Sequence, residues 1–563
     1  MTKYLLSAFF ILMFCIGSYA QQAINKDSLY IIQDSVLIPT RAGIAISAVI
    51  VRKKTNQQPL PAILFYTTYH QGVGDAIFGK RSADRDYVGI VAYARGIKTD
   101  LKYYAPFENE ATDVHDIIDW ISKQPWCNGS VGMFSGSYTG YSQWATVKNT
   151  HPALKTIVPQ VAVMPGYDFP MENNVPLSHI LSWSNDNIYK NKPLSRDLQF
   201  DYYNEGIAYN KLDSAAGLQN PIFQKWLSHP AYDDYWQSMV PTPEEYAEIN
   251  IPVLTTTGYF DGSQIGALQY FKLHNKYNKN TAHYLVIGPY DHWGGQRQPA
   301  KNLMGYEIDS VANINMMDLA YQWLDYILKE KTKPDILKDK VNFQVMGTNE
   351  WKHAATLQTI NNDTLTLYLD HQTLTDQKPK TKRFEKQTID FKDRDSQNNY
   401  YTPEIIFDSL DASNGLVFTS KPIENEFIIS GSFTGNLLVG TNKKDMDISM
   451  AFYELMPDGR YFFLTRYVGR ASFAKDNTKR QLLRPNKKEN ISFDNTRFVS
   501  KKISKGSCLV ILLNINKHPF EIINYGSGKD PAQETIKDAG KPMVIKWFNS
   551  SFIEIPVWTD QYL

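Results

Sequence analysis

The sequence predicts an α/β region interrupted by a helical insertion and followed by an all-β sandwich. Three observations carry that expectation. Residues 131–144, VGMFSGSYTGYSQW, read as a strand, a tight Gly/Ser turn and a helix. From about residue 61 to residue 331, apolar strands alternate with amphipathic helices, the pattern of a parallel sheet. Beyond Val341 the helical period fades, and short alternating strands separated by turn residues take over.

At 563 residues the chain is long enough for two or three domains, and its 43% hydrophobic content can fill large cores. The formal net charge of +1 gives no electrostatic ground for nucleic acid or an acidic membrane as partner. The 13% aromatic content, rich in Tyr and Trp, suits β-structure and carbohydrate- or peptide-facing clefts without choosing between them.

Residues 1–20 read as a secretory signal. Lys3 supplies the charge, Leu5–Ile16 the apolar run and Ser18-Tyr19-Ala20 the cleavage site. The run is too short to span a bilayer comfortably. Bulky Phe14 before Cys15 argues against lipid attachment. The expectation is cleavage after Ala20, a secreted or periplasmic product and no stable membrane insertion. Of the remaining cysteines, Cys127 and Cys508 are expected to be buried small side chains rather than a disulfide, and no pattern suggests a metal.

In chain order, residues 28–164 form the first part of the α/β region. Strands are expected at 36–38, 44–51, 61–66 and 87–93. A helix over 109–123 presents Val114, Ile117, Ile118 and Ile121 on one face. The elbow strand 131–134 and its helix follow, then a buried strand at 154–158. Residues 165–249 are aromatic and helical, an inserted cap. Alternation resumes over 250–332, with strands at 251–258 and 283–287 and helices near 266–275 and 316–331. A charged linker leads to the sandwich at 338–563, with strands including 342–345, 427–429, 448–453, 509–513 and 552–557.

A strand–turn–helix with serine at its apex is the nucleophile elbow of α/β-hydrolases. Ser137 is the better apex. Ser135 would place bulky Met133 where strand and helix cross, whereas Ser137 has Ser135 two before it and Gly140 three after. A serine hydroxyl needs a histidine to take its proton and a carboxylate to orient that histidine. In this fold they follow in the order serine, acid, histidine, each just after a strand. Asp261, in GYFDG after the strand 251–257, and His292, in GPYDHW after the strand 283–287, meet both conditions. The oxyanion needs donors. Tyr138 supplies the backbone N–H after the nucleophile, and Tyr69, after the strand 61–66, offers a hydroxyl.

With these residues in place, the chain resembles the X-Pro dipeptidyl-peptidase/cocaine esterase/α-amino-acid ester hydrolase family of serine hydrolases over nearly its whole mature length. The shared pieces are S-Y-x-G at 137–140, D-x-x-D-x-I-x-W-I-x-x-Q-P-W-x-N-G at 113–129, H-P-x-Y-D-x-Y-W at 229–236, G-P-Y-D-H at 288–292, V-M-G-x-N-x-W at 345–351 and P-D-G-R at 457–460. The resemblance implies an α/β-hydrolase domain with a helical cap and a C-terminal jelly-roll, and it implies no cofactor. It implies Ser137 as nucleophile, Asp261 as acid, His292 as base and Tyr69 with Tyr138 as the oxyanion hole. Members that act on α-amino-acid esters and β-lactam antibiotics hold the substrate ammonium with a carboxylate cluster, part of it two and three residues past the acid. Here those positions are Ser263 and Gln264, which are uncharged. Asp168 and Glu172 are the candidate substitutes, with surface carboxylates as the plainer reading.

The function expected is an exported acyl-ester hydrolase working through an acyl-enzyme on Ser137. X-Pro dipeptidyl-peptidase activity is the enzymatic alternative, and an inactive glycan-binding protein the non-enzymatic one. Expected partners are a small acyl ester, amide or short peptide, with homo-oligomerisation left open.

Overall fold

The computed structural model describes residues 28–70, 72–188, 194–195, 197–398 and 404–559. The predicted leader, residues 1–20, lies outside them. The described residues form two compact units, one of those up to residue 134 with 149–157, the other of 135–148 with those from residue 158 on.

In the first unit, β1 (Tyr30–Pro39), β2 (Ala45–Lys53), β3 (Leu60–Thr67), β4 (Val88–Tyr93) and β5 (Cys127–Gly136) lie in the order β1-β2-β4-β3-β5. β1 and β2 are antiparallel, whereas β3 runs parallel to both β4 and β5. Every residue of β4 is buried, as expected of a strand covered on both faces. Helix α1 (Asp75–Ala83), absent from the sequence expectation, packs directly on β4. Gly79 of the helix meets Gly89 of the strand so closely that a methyl group on Gly89 would strike the Gly79 backbone. Helix α2 (Glu110–Ser122) buries Val114, Ile117, Ile118 and Ile121, the face expected from its period. Each such side chain contributes about 1.5–3 kcal/mol over an exposed one. The two aspartates of the D-x-x-D motif serve this scaffold. Asp113 takes the Arg95 guanidinium and Asp116 that of Arg41.

β5 continues into the second unit and leads into helix α3 (Tyr138–Thr146). β6 (Leu154–Gln160) is followed by the insertion, with helices such as Ile180–Ile188, Leu198–Glu205 and Pro221–Leu227. Its motif H-P-x-Y-D-x-Y-W is structural. His229 bonds Asp233 at 2.8 Å, and the buried Trp236 donates its ring N–H to the His229 carbonyl at 2.9 Å. β7 (Val253–Gly258), helix α4 (Gln264–Tyr277), β8 (His283–Gly288) and helix α5 (Met316–Lys329) resume the α/β pattern. β9 (Val341–Val345) then pairs in parallel with β8, and β10 (Glu350–Ala354) folds back on it. This corrects the expectation that residues 342–345 open the sandwich. A five-residue strand after a polar linker carries no mark of which sheet it will join. Among the described residues from Asp363 to Trp558 the chain is β-structure with short 3-10 turns, its strands antiparallel apart from one short parallel pairing, 373–374 with 419–420, with Leu437, Val439, Met450, Phe452, Leu512, Ile553 and Ile555 inside. The two described cysteines are free. Cys127 is buried as expected, while Cys508 is partly exposed. No described helix is long and apolar enough to cross a membrane.

A buried histidine pair braces the second unit. Thr255 Oγ1 contacts His283 Nε2 at 2.9 Å, His283 Nδ1 contacts His274 Nδ1 at 3.1 Å, and His274 Nε2 contacts the Ile249 carbonyl at 3.0 Å. A carbonyl only accepts, so His274 carries its proton on Nε2. Its Nδ1 then accepts from His283 Nδ1–H, and His283 Nε2 accepts from Thr255. Both rings are neutral. Burial pushes His274 down to about 4 and His283 well below the ordinary imidazole value of 6.5. As pH falls below 6.5 the unfolded chain takes up these protons first, so folding stability is full above that value. Below it, up to about 1.4 kcal/mol is lost per pH unit per histidine. Urea midpoints measured near pH 7 and near pH 5 should therefore fall less for the double variant His274→Gln, His283→Gln than for the wild type. Equal falls would contradict the assignment.

Candidate active site

Ser137 stands at the junction of β5 and α3 with φ +63° and ψ −126°, a conformation that L-residues rarely adopt. Such strain costs about 1–3 kcal/mol and persists only where surroundings over-determine it. They do so here. The Ser137 N–H points at the carbonyls of Gln160 (3.1 Å) and Val161 (3.2 Å), and the Ser137 carbonyl accepts from the N–H groups of Gly140 and Tyr141, both at 3.0 Å. Ser135, where glycine would suit a positive φ, itself sits at φ +133°. Gly140 lies against β6, where a methyl group would come within 2.8 Å of the Gln160 carbonyl.

Asp261 follows β7 and is fully buried. Its Oδ1 accepts from the Ser263 N–H at 2.9 Å and faces His292 Nδ1 at 2.8 Å, while its Oδ2 accepts from Thr257 Oγ1 at 2.8 Å. An ionised carboxylate only accepts, so His292 carries its proton on Nδ1 and its Nε2 holds a lone pair. Burial pulls the His292 pKa down, but the Asp261 charge and hydrogen bond, with Asp291 beside it, outweigh burial and raise it. The loop carrying His292 reaches the elbow. Gln296 donates to the His292 carbonyl at 2.9 Å, and its side-chain amide lies against Gly136, the residue before Ser137.

An aromatic cluster begins at the residue after the serine. The Tyr138 ring packs on Trp183 of the insertion (6.1 Å between centroids), and Trp183 packs on Phe169 (5.2 Å). Tyr138 also occupies the first position of α3, where a helix presents backbone N–H groups. Tyr69 belongs to the first unit, on the loop after β3, where its N–H donates to Thr67 Oγ1 at 3.1 Å.

The two candidate substrate carboxylates are not surface groups. Asp168 is 2% exposed and accepts the N–H groups of Met164 and Gly266, each at 2.7 Å. Glu172 is 3% exposed and bonded at both oxygens by Arg497, at 3.0 and 2.7 Å. Gln264 spans the Gly258 and Phe498 carbonyls at 2.9 and 2.8 Å. Sequence reasoning passed over Thr257 and Arg497. Thr257 left a signal, since Thr255-Thr256-Thr257 in a buried strand must each find a hydrogen-bond partner. Arg497 left none.

A strained serine between strand and helix, with an acid and a histidine placed after later parallel strands, defines the α/β-hydrolase class. More narrowly, this chain belongs to the X-Pro dipeptidyl-peptidase (S15) family. That family's pattern matches residues 42–294, and the pattern of its C-terminal non-catalytic domain matches residues 337–537. Cocaine esterase of Rhodococcus sp. (strain MB1 Bresler) is 25% identical over 355 residues, 58% of this chain and 60% of that protein. The match thus spans less than two thirds of that relative. Among solved structures, an aminopeptidase from a marine sediment Thaumarchaeota archaeon superposes with a TM-score of 0.83 at 20% identity, covering 94% of this chain and 97% of that one. An α-amino acid ester hydrolase superposes with a TM-score of 0.77, also at 20% identity, covering the same shares, 94% and 97%. These likenesses fix the fold: an α/β region with a C-terminal β domain.

Proposed function

We propose that this chain is an exported serine hydrolase that cleaves acyl esters through an acyl-enzyme on Ser137. The observation that carries the reading is the pairing of a strained serine at the strand–helix turn with a histidine whose Nδ1–H is bound to a fully buried aspartate. Ser137 Oγ attacks the carbonyl carbon and its proton passes to His292 Nε2. Asp261 holds the imidazole in the required tautomer and stabilises the imidazolium. The Tyr138 N–H is assigned to the oxyanion, and the sequence's candidate for the second donor is the Tyr69 hydroxyl. His292 then gives the proton to the leaving alkoxide, and water repeats the sequence on the acyl-enzyme. In this reading the helical insertion is a cap, the C-terminal domain is a jelly-roll, and residues 1–20 direct export with cleavage near Ala20.

The acyl group favoured is neutral. Recognition of an α-ammonium, whether of an amino-acid ester or of a peptide N-terminus, requires a carboxylate partner in a desolvated pocket. Ser263 and Gln264 are uncharged, Asp168 is spent on backbone N–H groups, and Glu172 is neutralised by Arg497. The partly exposed Trp183, packed on Tyr138 and Phe169, suits an apolar or aromatic acyl group. Turnover of p-nitrophenyl esters of neutral acids should therefore exceed that of X-Pro anilides and α-amino-acid esters by at least about tenfold in kcat/KM, since an unpaired buried charge costs 1.4 kcal/mol or more. Faster cleavage of X-Pro anilides would replace this reading with the dipeptidyl-peptidase one.

A further inference from the structure

The turn that carries Asp261 is held from behind by the C-terminal β domain. Arg497 is 6% exposed and lies between the strands 488–493 and 499–503. Its Nε donates to the Asp261 carbonyl at 3.3 Å and its Nη2 to the Gly262 carbonyl at 3.2 Å. The same guanidinium forks onto both oxygens of Glu172, and the Arg497 carbonyl accepts from Thr465 Oγ1 at 2.9 Å. The next residue extends the grip. The Phe498 N–H donates to Gln264 Oε1 at 2.6 Å, its carbonyl accepts from Gln264 Nε2 at 2.8 Å, and its ring stacks on Tyr259 at 5.7 Å. The acid turn, residues 258–264, thus meets His292 on one side and Arg497-Phe498 on the other.

We propose that Arg497 is a positioning residue for the catalytic acid, and that Glu172 is its counter-charge, so that the C-terminal domain completes the active site. Two effects separate. The fork donates to the main chain of the acid turn and fixes where the Asp261 carboxylate meets His292; a planar, rigid fork does this where an ammonium cannot. Glu172 cancels the cation's charge, which would otherwise draw on the Asp261 carboxylate and oppose the imidazolium. The charged groups facing His292 are Asp261, Asp291 and Arg297, with His179 from the insertion; Arg466 faces Glu172, and Asp168 faces Arg497.

The inference rests on the serine-hydrolase reading and is tested with a p-nitrophenyl ester on the full chain. Arg497→Met should lower kcat by about 10–100-fold with KM within about twofold, because a misplaced acid affects the transition state more than substrate binding. Glu172→Gln leaves the cation unbalanced, so the acid limb of kcat/KM should move to lower pH. The double variant Glu172→Gln, Arg497→Met removes the paired charges together and keeps the assay open if Arg497→Met does not fold. It should return the limb to its wild-type position while kcat stays low. Arg497→Lys should fall between Met and wild type in kcat. Folded Arg497 variants with wild-type kcat, or a limb that Glu172→Gln leaves in place, would overturn the proposal. Should Ser137→Ala keep full activity, the hydrolase reading fails first; an inactive Ser137→Ala beside unaffected Arg497 variants refutes only the positioning role.

Discussion

His292→Ala should lower kcat by about 10⁴-fold or more, Ser137→Ala should do the same, and the double variant should be little worse than either single one. The reason is that in the proposed mechanism the hydroxyl and the imidazole act on one proton. Without the base, Ser137 attacks as a neutral alcohol; without the hydroxyl, the base has nothing to activate. The fold should not suffer. The His292 side chain is 29% exposed, and after its loss the Asp261 carboxylate keeps the Ser263 N–H and the Thr257 hydroxyl. Steady-state kinetics and thermal unfolding of the three variants check this. Losses that multiply in the double variant would mean that Ser137 and His292 do not work as a unit.

Asp261→Asn should cost about 10²–10⁴-fold in kcat, and the network decides how. An asparagine replaces one acceptor oxygen with an NH₂ donor. The Ser263 N–H cannot reverse, so the oxygen must stay at the Oδ1 position facing His292 Nδ1, and the NH₂ must face Thr257, whose hydroxyl can rotate to accept. The productive tautomer of His292 therefore survives, and what is lost is the buried negative charge that stabilises the imidazolium. Removing that charge also removes the chief influence raising the His292 pKa and leaves burial to lower it. Activity needs the neutral base, so the acid limb of the rate profile should shift to lower pH in the variant. A pH–rate profile checks the shift; a limb that stays in place would show that Asp261 does not face the base.

Much of this was legible in the sequence because local chemistry and global fold agree where parallel strands and helices alternate. The turn at Ser137 combines small residues, a strand before it and a helix after it, and that pattern survives in one dimension. The contact between Asp261 and His292 was legible from chain order and strand ends. Helix α1 was not, because Gly72, Gly74 and Gly79 interrupt any period there, and the glycine that weakens the helix locally is the one that lets it touch β4. β9 was misplaced because its sheet partner is chosen by what precedes it in space. Asp168 and Glu172 read as surface carboxylates because nothing nearby marks them as buried. The partner of Glu172 lies 325 residues away. Arg497 stands in a run, DNTRF, that carries no motif. Its meaning exists only once the β domain has folded onto the acid turn.

Covalent labelling tests the central claim most directly. A fluorophosphonate phosphorylates a serine only where a base activates it and donors stabilise the developing charge. Mass spectrometry of the labelled, digested protein should find one adduct, on the peptide containing Ser137, with fragment ions placing it on Ser137 rather than Ser135. The Ser137→Ala variant should take up none. Labelling that persists in Ser137→Ala, or an adduct that maps to Ser135, would contradict the account.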